Sequence, residues 1–305
     1  MVFLDEIADG SLKIWKTLDI SYTDFIRTTE ARHAAFVQKI LQKIYDKGED
    51  IYQGEYSGLY CVGCEAFKNE RDLVNGVCPD HLTKPEVIKE KNWFFKLSKY
   101  QGFLEKWFAE HPTFVESASR FNEVKAFVER GVEDFSISRE NNTFGIPLPF
   151  DSSQITYVWF DALLNYITVC QEEGEKFWDK DTYILHVMAK DIVKFHATYW
   201  PAMLESAGYR LPDQEYVTGY LTVDGQKMSK SLGNIVDPVQ VAQDYDRDAE
   251  VFYLLYDAPI GADGDFSWDR FKGTYESVLI GAWGNLVNRV VSLCSKYGIT
   301  EGNIS

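Results

Sequence analysis

The 305-residue chain is 45% hydrophobic and 15% aromatic, enough to bury one or two substantial cores. Its formal net charge of −16 argues against a protein that coats nucleic acid indiscriminately, because phosphate repulsion opposes a wide contact; a local basic groove stays compatible with it. The apolar stretches are short and interrupted by charges, and the first residues are acidic where a secretory signal is basic. We therefore expect a cytoplasmic protein without a membrane span.

Residues 30–47 predict an amphipathic helix, with Thr29 as its cap and Gly48 at the left-handed position after its end. Residues 52–93 then change to short aromatic, glycine-punctuated pieces, which indicates a small insert rather than a continuation of the first core.

Two further helices are predicted after these short pieces. Ser98 and Gln101 have the spacing of a capping box that starts an aromatic-rich helix. Another helix is expected over residues 121–130, ended by Gly131.

Three of the five cysteines fall inside the insert and indicate a metal site. Cys61 and Cys64 form one close pair, and Cys78 and His81 form a second. Each pair fits a tight turn that presents both side chains to one tetrahedral ion, and four such ligands leave no open position, as in structural zinc sites. Unrelated thiols, or a redox pair at Cys61 and Cys64, are the less favoured alternatives.

Residues 182–188 read as a buried strand, and residues 192–204 as the helix that follows it. Lys190 and Asp191 lie in the connection between them. In open α/β sheets ligands bind at this carboxyl end of the strands, so we expect both residues at a ligand site.

Asp224-Gly225 predicts a tight hairpin turn just before the segment Lys-Met-Ser-Lys-Ser. Lys227 and Lys230 are expected to place positive charge on a triphosphate while Ser229 and Ser231 donate hydrogen bonds. Such contacts lower a barrier most when charge shifts onto a leaving pyrophosphate. The alternative is a solvated turn, which the preceding strand, turn and helix signals make less attractive.

In combination, these residues resemble the methionyl-tRNA synthetases of class I over nearly the whole chain. The segments that carry the resemblance are Asp24–Thr29, Cys61–His81, Asn92–Phe95, Ile137–Arg139, Val158–Ala162, Lys190–Ile192 with Phe195 and His196, and Lys227–Ser231. The resemblance implies an α/β fold: a partial Rossmann-like catalytic domain with an inserted zinc knuckle and the start of an α-helical anticodon-binding domain. It also implies a methionine-tRNA ligase that makes methionyl-adenylate from ATP and methionine and then charges tRNA(Met).

The resemblance assigns roles to several residues. Those expected to line the methionine pocket are Trp159, Ala162, Tyr166, Phe195 and His196, although Trp159 and Phe195 also fit simple core positions. Asp191, with Lys190, is expected near the ribose of ATP, and Arg139 near the nucleotide, with a surface ion pair as its alternative. ATP with Mg²⁺ and a structural Zn²⁺ are the implied substrate and ions.

The chain departs from the family pattern in three places. Ala189 stands where glycine is frequent and Leu163 where some members have proline. The His-x-Gly-His signature is absent, since no two histidines are three apart. We therefore expect the chain to be an N-terminally truncated fragment with little activity alone, because one side of the phosphate site is missing. A non-catalytic, zinc-stabilised RNA-binding fragment is the alternative.

The expected division has five parts. Residues 1–51 are the remainder of the first nucleotide-fold half, 52–133 the insert with the zinc knuckle, and 134–222 the second nucleotide-fold half. Residues 223–268 carry the Lys227–Ser231 loop and a stem-contact region, and 269–305 begin the helical anticodon-binding domain. A synthetase for isoleucine, valine or leucine is disfavoured, because the insert is too small for an editing domain.

Overall fold

The computed structural model describes residues 2–64, 66–68, 70–79, 81–140, 144–171, 176–228, 233–257 and 261–299. The chain divides into two compact units. One is Asp24–Tyr216, and the other joins Met1–Thr23 to Val217–Ser305. The five-part division expected from the sequence stays a prediction.

Helices and strands are interspersed along the chain. The helices are α1 Val2–Thr17, α2 Ala31–Tyr45, α3 Gln101–Glu110, α4 Ala118–Glu129, α5 Val158–Leu163, α6 Asn165–Thr168, α7 Trp200–Ala207, α8 Pro238–Tyr245, α9 Arg247–Asp257, α10 Trp268–Thr274 and α11 Asn285–Tyr297. The strands are β1 Ile51–Cys61, β2 Ala66–Lys68, β3 Glu86–Phe95, β4 Val115–Glu116, β5 Phe135–Ser136, β6 Ser138–Arg139, β7 Pro147–Leu148, β8 Asp151–Thr156, β9 Leu185–Ala189, β10 Gln214–Thr218, β11 Leu221–Val223, β12 Gln226–Lys227 and β13 Gly264–Phe266.

Helix α2 supplies a buried face to the Asp24–Tyr216 unit. Its apolar residues recur three and four positions apart and so form one stripe, which packs against α6 and α7. The buried apolar side chains of α2 are Phe36, Val37, Ile40, Leu41 and Ile44. The expected Thr29 cap is wrong, because Glu30 is the capping residue. Its carboxylate accepts from the backbone N–H of Arg27 at 2.9 Å.

The capping box expected from Ser98 and Gln101 is also wrong. A short 3₁₀ turn precedes α3, and neither side chain caps the helix. Instead the hydroxyl of Ser98 donates to Asp134 Oδ1 at 2.6 Å, and the amide of Gln101 donates to the carbonyl of Val128 at 2.8 Å. Ser98 therefore binds the segment that follows α4, and Gln101 binds the last turn of α4 itself. Local spacing does not reveal either contact.

Three sheets order the Asp24–Tyr216 unit. The largest has the strand order β2-β1-β3-β5, and its long antiparallel pair β1–β3 runs from Ile51 opposite Phe95 to Tyr60 opposite Glu86. A second sheet has the order β4-β10-β9, with β4 and β10 parallel. The third, β6-β8-β7, is antiparallel and leads directly into α5.

The strand and helix predicted around Lys190 and Asp191 are confirmed, although the strand starts later than expected. Its expected burial is wrong, because β9 is buried on one face only and Leu185 and Val187 are exposed on the other. Thr182 and Ile184 are hydrogen-bonded by the side chains of Arg210 and Asp213 instead of extending the strand. After β9, residues 190–192 turn, and a π-helical turn at Phe195–Tyr199 continues into α7.

In the second unit, a small sheet packs on helices. Its strand order is β12-β11-β13, and β11 and β12 form the hairpin expected at Asp224-Gly225. Both turn residues have left-handed backbones, with φ of 50° and 72°, as a two-residue hairpin requires. The core of this unit contains Val223, Val241, Ala249, Tyr253, Phe266 and Phe271.

Residues 268–297 form one continuous helix through α10, a π-helical stretch Tyr275–Gly284, and α11. By length and composition alone it could cross a membrane, contrary to the expectation that no stretch would qualify. Phe271 packs in the core of this unit, whereas most of the apolar side chains after residue 279 are exposed, among them Trp283 and Val287. Polar residues such as Asn288 and Arg289 interrupt them, a pattern more typical of a helix that packs on one side.

Candidate functional site

Cys61, Cys64, Cys78 and His81, here called the cysteine–histidine cluster, converge at the end of the β1–β3 pair. Their four ligand atoms all lie within 4.8 Å of one another. Cys64 Sγ is 3.5 Å from Cys78 Sγ and 3.2 Å from His81 Nδ1. Cys61 Sγ and Cys78 Sγ are 4.0 and 3.9 Å from the same nitrogen.

These separations fit a tetrahedral metal ion. Ligands bound to zinc at the usual Zn–S and Zn–N distances lie about 3.6 Å apart from one another. Gly63, which lies between Cys61 and Cys64, leaves room for the fourth ligand. A Cβ atom added to Gly63 would lie 2.5 Å from the ring of His81. The donor set and its spacing therefore suit a closed structural zinc site, with no position left for a substrate.

A second group of predicted residues meets where α5 and α6 face the helix after β9. We call Trp159, Ala162, Tyr166, Phe195 and His196 the aromatic site. Trp159, Ala162 and Tyr166 are spaced to share one helical face. The rings of Trp159 and Phe195 stack at 4.0 Å between centroids and 11° between planes. Both rings are only half-buried, which favours a binding role over a simple core position.

A chain of hydrogen bonds fixes the other half of the aromatic site. His196 Nδ1 is 2.9 Å from the carbonyl of Ile192, which can only accept, so Nδ1 carries a proton. His196 Nε2 then accepts from the Tyr166 hydroxyl at 2.8 Å. Burial lowers the pKa of His196, which keeps the ring neutral and this arrangement intact at neutral pH.

Lys190 and Asp191 lie in the turn that follows β9, with Lys190 half-buried and Asp191 exposed. Arg139 lies on β6 and is held in place from two sides. Its Nη1 donates to Ser138 O at 2.8 Å and to Ser136 Oγ at 3.0 Å, and its guanidinium stacks 4.0 Å from the centre of the Tyr157 ring. Because Tyr157 is the residue before α5, Arg139 stands close to the start of the helix that carries Trp159.

The Lys227–Ser231 segment begins on the hairpin of the other unit. Lys227 pairs with Thr222 across β11 and β12, and Met228 packs against the core of that unit. Ser229, Lys230 and Ser231 lie outside the described residues. The segment is therefore anchored at its first two residues.

Asp161 is an ionisable group that the sequence did not single out. It lies within the Val158–Ala162 segment on α5, its side chain is buried, and its Oδ1 has no hydrogen-bond partner among the described residues. Burial raises the pKa of Asp161 to about 7. A buried carboxyl in an otherwise apolar helix is visible only once the fold is known.

Comparison with known proteins gives a consistent assignment. The family model of tRNA synthetases class I (M) matches residues 2–84 and 81–291. Methionine–tRNA ligase of Thermosynechococcus vestitus is 47% identical and covers 98% of this chain, which spans 58% of that relative. The ligase of Arabidopsis thaliana named chloroplastic/mitochondrial is 44% identical over 96% of this chain and 48% of its own length. The compartment of the present chain therefore stays a prediction.

Solved structures agree with the sequence relatives. Mycobacterium tuberculosis methionyl-tRNA synthetase bound by methionyl-adenylate superposes with a TM-score of 0.87 at 36% identity, covering 94% of this chain and 58% of that one. The same protein in its apo form gives a TM-score of 0.83. The mixed α/β fold is thus that of a class I synthetase. The chain belongs to the tRNA synthetases of class I (M), which confirms the resemblance, and it spans about half the length of the curated relatives it matches.

Proposed function

We propose that the chain is the larger part of the catalytic region of a methionine–tRNA ligase. In this reaction the carboxylate of methionine attacks the α-phosphate of ATP, forming methionyl-adenylate and releasing pyrophosphate. The methionyl group then passes to the 3′ end of tRNA(Met). The observation that carries the proposal is the aromatic site, built from separate helices in a chain that belongs to this family.

The aromatic site suits a methionine side chain. The thioether is polarizable and packs well against aromatic faces. Trp159 and Phe195 supply such faces at the half-exposed side of the aromatic site. The proton of the Tyr166 hydroxyl is engaged by His196, so the two rings are held in fixed orientation. A preorganised pocket of this kind binds its ligand without an ordering cost.

We assign the nucleotide to the residues near the ends of β9 and β6. Asp191, with Lys190 beside it, would accept from a ribose hydroxyl, and Arg139 would contact the nucleotide. Lys227, Ser229, Lys230 and Ser231 would stabilise the charge that develops on the pyrophosphate. ATP would enter with Mg²⁺, whose usual partners are phosphate oxygens and carboxylates.

We further propose that the cysteine–histidine cluster holds Zn²⁺ as a structural ion and that residues 269–305 begin a helical anticodon-binding domain. The exposed apolar side chains on α11 support the second assignment, because further helices packed on them would remove that surface from water.

The assignment is tested by methionine binding and by a hybrid enzyme. Calorimetry on the chain should detect methionine and reject leucine and glutamine. In the hybrid enzyme, the N-terminal segment of the T. vestitus relative precedes this chain, and we expect methionine-dependent ATP–pyrophosphate exchange. A hybrid enzyme that folds, binds zinc and exchanges equally with leucine would contradict the assignment.

The rival is a zinc-stabilised RNA-binding fragment, and the preassembled cysteine–histidine cluster is the observation in its favour. It predicts retained zinc and tRNA binding with no affinity for methionine or ATP. The net charge of −16 weighs against it, because a chain this acidic repels phosphate except at local basic patches.

A further inference from the structure

Glu215 is an unusual residue for the middle of a sheet. It lies on β10, between β4 and β9, and is completely buried. Neither of its carboxyl oxygens has a hydrogen-bond partner among the described residues. A buried, unpaired carboxylate is so costly that the group keeps its proton instead, and burial raises the pKa of Glu215 well above its usual value.

Two other buried polar side chains nearby are unpartnered as well. His186 on β9 is 3% exposed, and neither ring nitrogen has a partner among the described residues. Trp200, the first residue of α7, is fully buried with an unpartnered Nε1. Burial, with a smaller contribution from the charge of His196, lowers the pKa of His186 to about 3, so its ring is neutral. We call Glu215, His186 and Trp200 the polar cluster.

Tyr166 is the common neighbour of these three residues. Its ring stacks on His186 at 4.0 Å between centroids and lies 6.1 Å from the Trp200 ring. Glu215 is close enough to act on Tyr166 electrostatically. Burial is the first cause that raises the pKa of Tyr166 to about 12, and the negative charge that Glu215 carries once it has lost its proton is the second. The polar cluster therefore lies against the residue that hydrogen-bonds His196 in the aromatic site.

The hydrogen-bonding groups of the polar cluster are complementary. A protonated carboxyl has a donor and acceptors, a neutral imidazole has one of each, and an indole N–H only donates. Buried groups of this kind are normally satisfied, and where they do not touch directly an ordered water with two to four partners bridges them.

We propose that Glu215, as a neutral carboxylic acid, is a positioning residue that holds ordered water with His186 and Trp200 and so orients the Tyr166–His196 pair. The function of that pair in binding methionine rests on the proposed function above; the hydrogen-bonded cluster itself does not. Glu215 touches no substrate in this proposal. It acts through the bound water and the ring of His186, on which Tyr166 stacks.

NMR of the intact chain tests the polar cluster directly. With ¹³C-labelled glutamate, and Glu215→Gln to assign the signal, the Glu215 carboxyl resonance should stay that of the protonated acid from pH 5 to pH 7. The indole proton of Trp200, assigned with Trp200→Phe, should show a transfer signal from a long-lived bound water. A Glu215 carboxyl that titrates near pH 4.5, or an indole proton without a water signal, overturns the proposal.

Substitutions then test the positioning role. Glu215→Gln keeps a donor and an acceptor at nearly the same size, and should leave the ring ¹⁵N signals of His186 and His196 unchanged. Glu215→Leu removes both groups and should shift them. Glu250→Gln is the matched control, since Glu250 is also buried but lies on α9 in the other unit. If Glu215→Leu folds and leaves both histidines unchanged, Glu215 has no positioning role.

Glu215→Leu is the variant most at risk of not folding. If it does not fold, the NMR signals of Glu215→Gln and the bound-water signal of the wild-type protein decide whether the polar cluster exists. Calorimetry adds a separate result: methionine affinity should fall about tenfold in Glu215→Leu and less than about twofold in Glu215→Gln. Wild-type protein that shows the NMR signals but does not bind methionine would sink the proposed function and leave the polar cluster standing. Normal methionine binding by a protein in which Glu215 is ionised would overturn the polar cluster and leave the proposed function standing.

Discussion

Asp161 couples the stability of the Asp24–Tyr216 unit to pH. Burial raises its pKa from 3.8 to about 7, so the folded chain binds a proton that the unfolded chain releases. This contribution is fully present below pH 4 and is lost as the pH rises to about 7. Relative to Asp161→Asn, wild-type protein should therefore lose about 3 kcal/mol of unfolding free energy between pH 4 and pH 8, measured by urea denaturation.

Asp151 offers a control with the opposite sign. Its carboxylate accepts from Ser153 Oγ and from Trp93 Nε1, and the first of these bonds is the main cause that lowers the pKa of Asp151. The stability that Asp151 contributes is present at a pH above the usual pKa of an aspartate, and it is lost as the pH falls through the lowered pKa of Asp151. Relative to Asp151→Asn, wild-type protein should be more stable at pH 7 than at pH 3. The same pH trend in both variants would contradict this account.

Trp159 should contribute directly to methionine binding. Its indole stacks on Phe195 and is half-exposed, so Trp159→Ala removes one aromatic wall without opening the buried core. We expect methionine affinity to fall about tenfold, measured by calorimetry on the chain. Trp283→Ala removes a 63% exposed indole of the other unit and should leave affinity unchanged. Equal effects of the two substitutions would remove Trp159 from the pocket.

The turn between Cys61 and Cys64 requires a glycine at position 63. A methyl group at Gly63 would collide with the His81 ring, so Gly63→Ala must turn or displace that ligand. We expect zinc affinity to fall about tenfold or more, measured by competition with a coloured chelator. Gly10→Ala is the control, because nothing lies within 4 Å of a Cβ there. Unchanged zinc affinity in Gly63→Ala would argue against His81 as a ligand.

The hairpin that leads into Lys227 is held by one carboxylate. Asp265 Oδ1 accepts from Thr222 Oγ1 at 2.6 Å and from the N–H of Gly225 at 2.7 Å. In the hybrid enzyme, Asp265→Ala should slow methionyl-adenylate formation about tenfold and leave methionine binding unchanged, because it loosens only the approach to the Lys227–Ser231 segment. Asp269→Ala, on α10, is the control. A matching loss of methionine affinity would show that the hairpin does more than carry this segment.

Local signals in the sequence predict this hairpin and the buried stripe of α2. Contacts with residues distant in sequence explain the features that were predicted wrongly. Asp224-Gly225 specifies its turn through backbone conformation alone, and the α2 stripe follows from helical periodicity. Ser98 has the spacing of a cap, but its hydroxyl is taken by Asp134, 36 residues later. The strand before Lys190 is shortened by Arg210 and Asp213 for the same kind of reason. Propensity cannot anticipate such tertiary contacts.

At the scale of the whole chain, the compact units join residues that are distant in sequence. Residues 1–23 belong with the C-terminal unit, where the carbonyl of Leu18 accepts from Arg247 Nε at 2.7 Å and α1 packs against α8. Residues 1–51 are expected from the sequence to complete the first nucleotide-fold half, and that division stays a prediction. The polar cluster could not be predicted from the sequence, because Glu215, His186 and Trp200 are distant from one another along the chain and form no short motif.

The proposed methionine residues and the proposed phosphate residues fall in different units, which makes their contributions separable by experiment. Lys230 is assigned to the charge that builds on pyrophosphate as it leaves, so its contact should be stronger in the transition state than with bound ATP. In the hybrid enzyme, Lys230→Ala should lower the rate of methionyl-adenylate formation about a hundredfold and weaken ATP binding less than about fivefold.

Rapid-quench and equilibrium binding measurements on the same preparation give these two quantities. Lys272→Ala, which removes a lysine of α10, should change neither. Methionine affinity should also stay constant in Lys230→Ala, because the aromatic site is untouched. If rate and ATP affinity fell by the same factor, the lysine would bind ground state and transition state equally, and its catalytic assignment would be wrong.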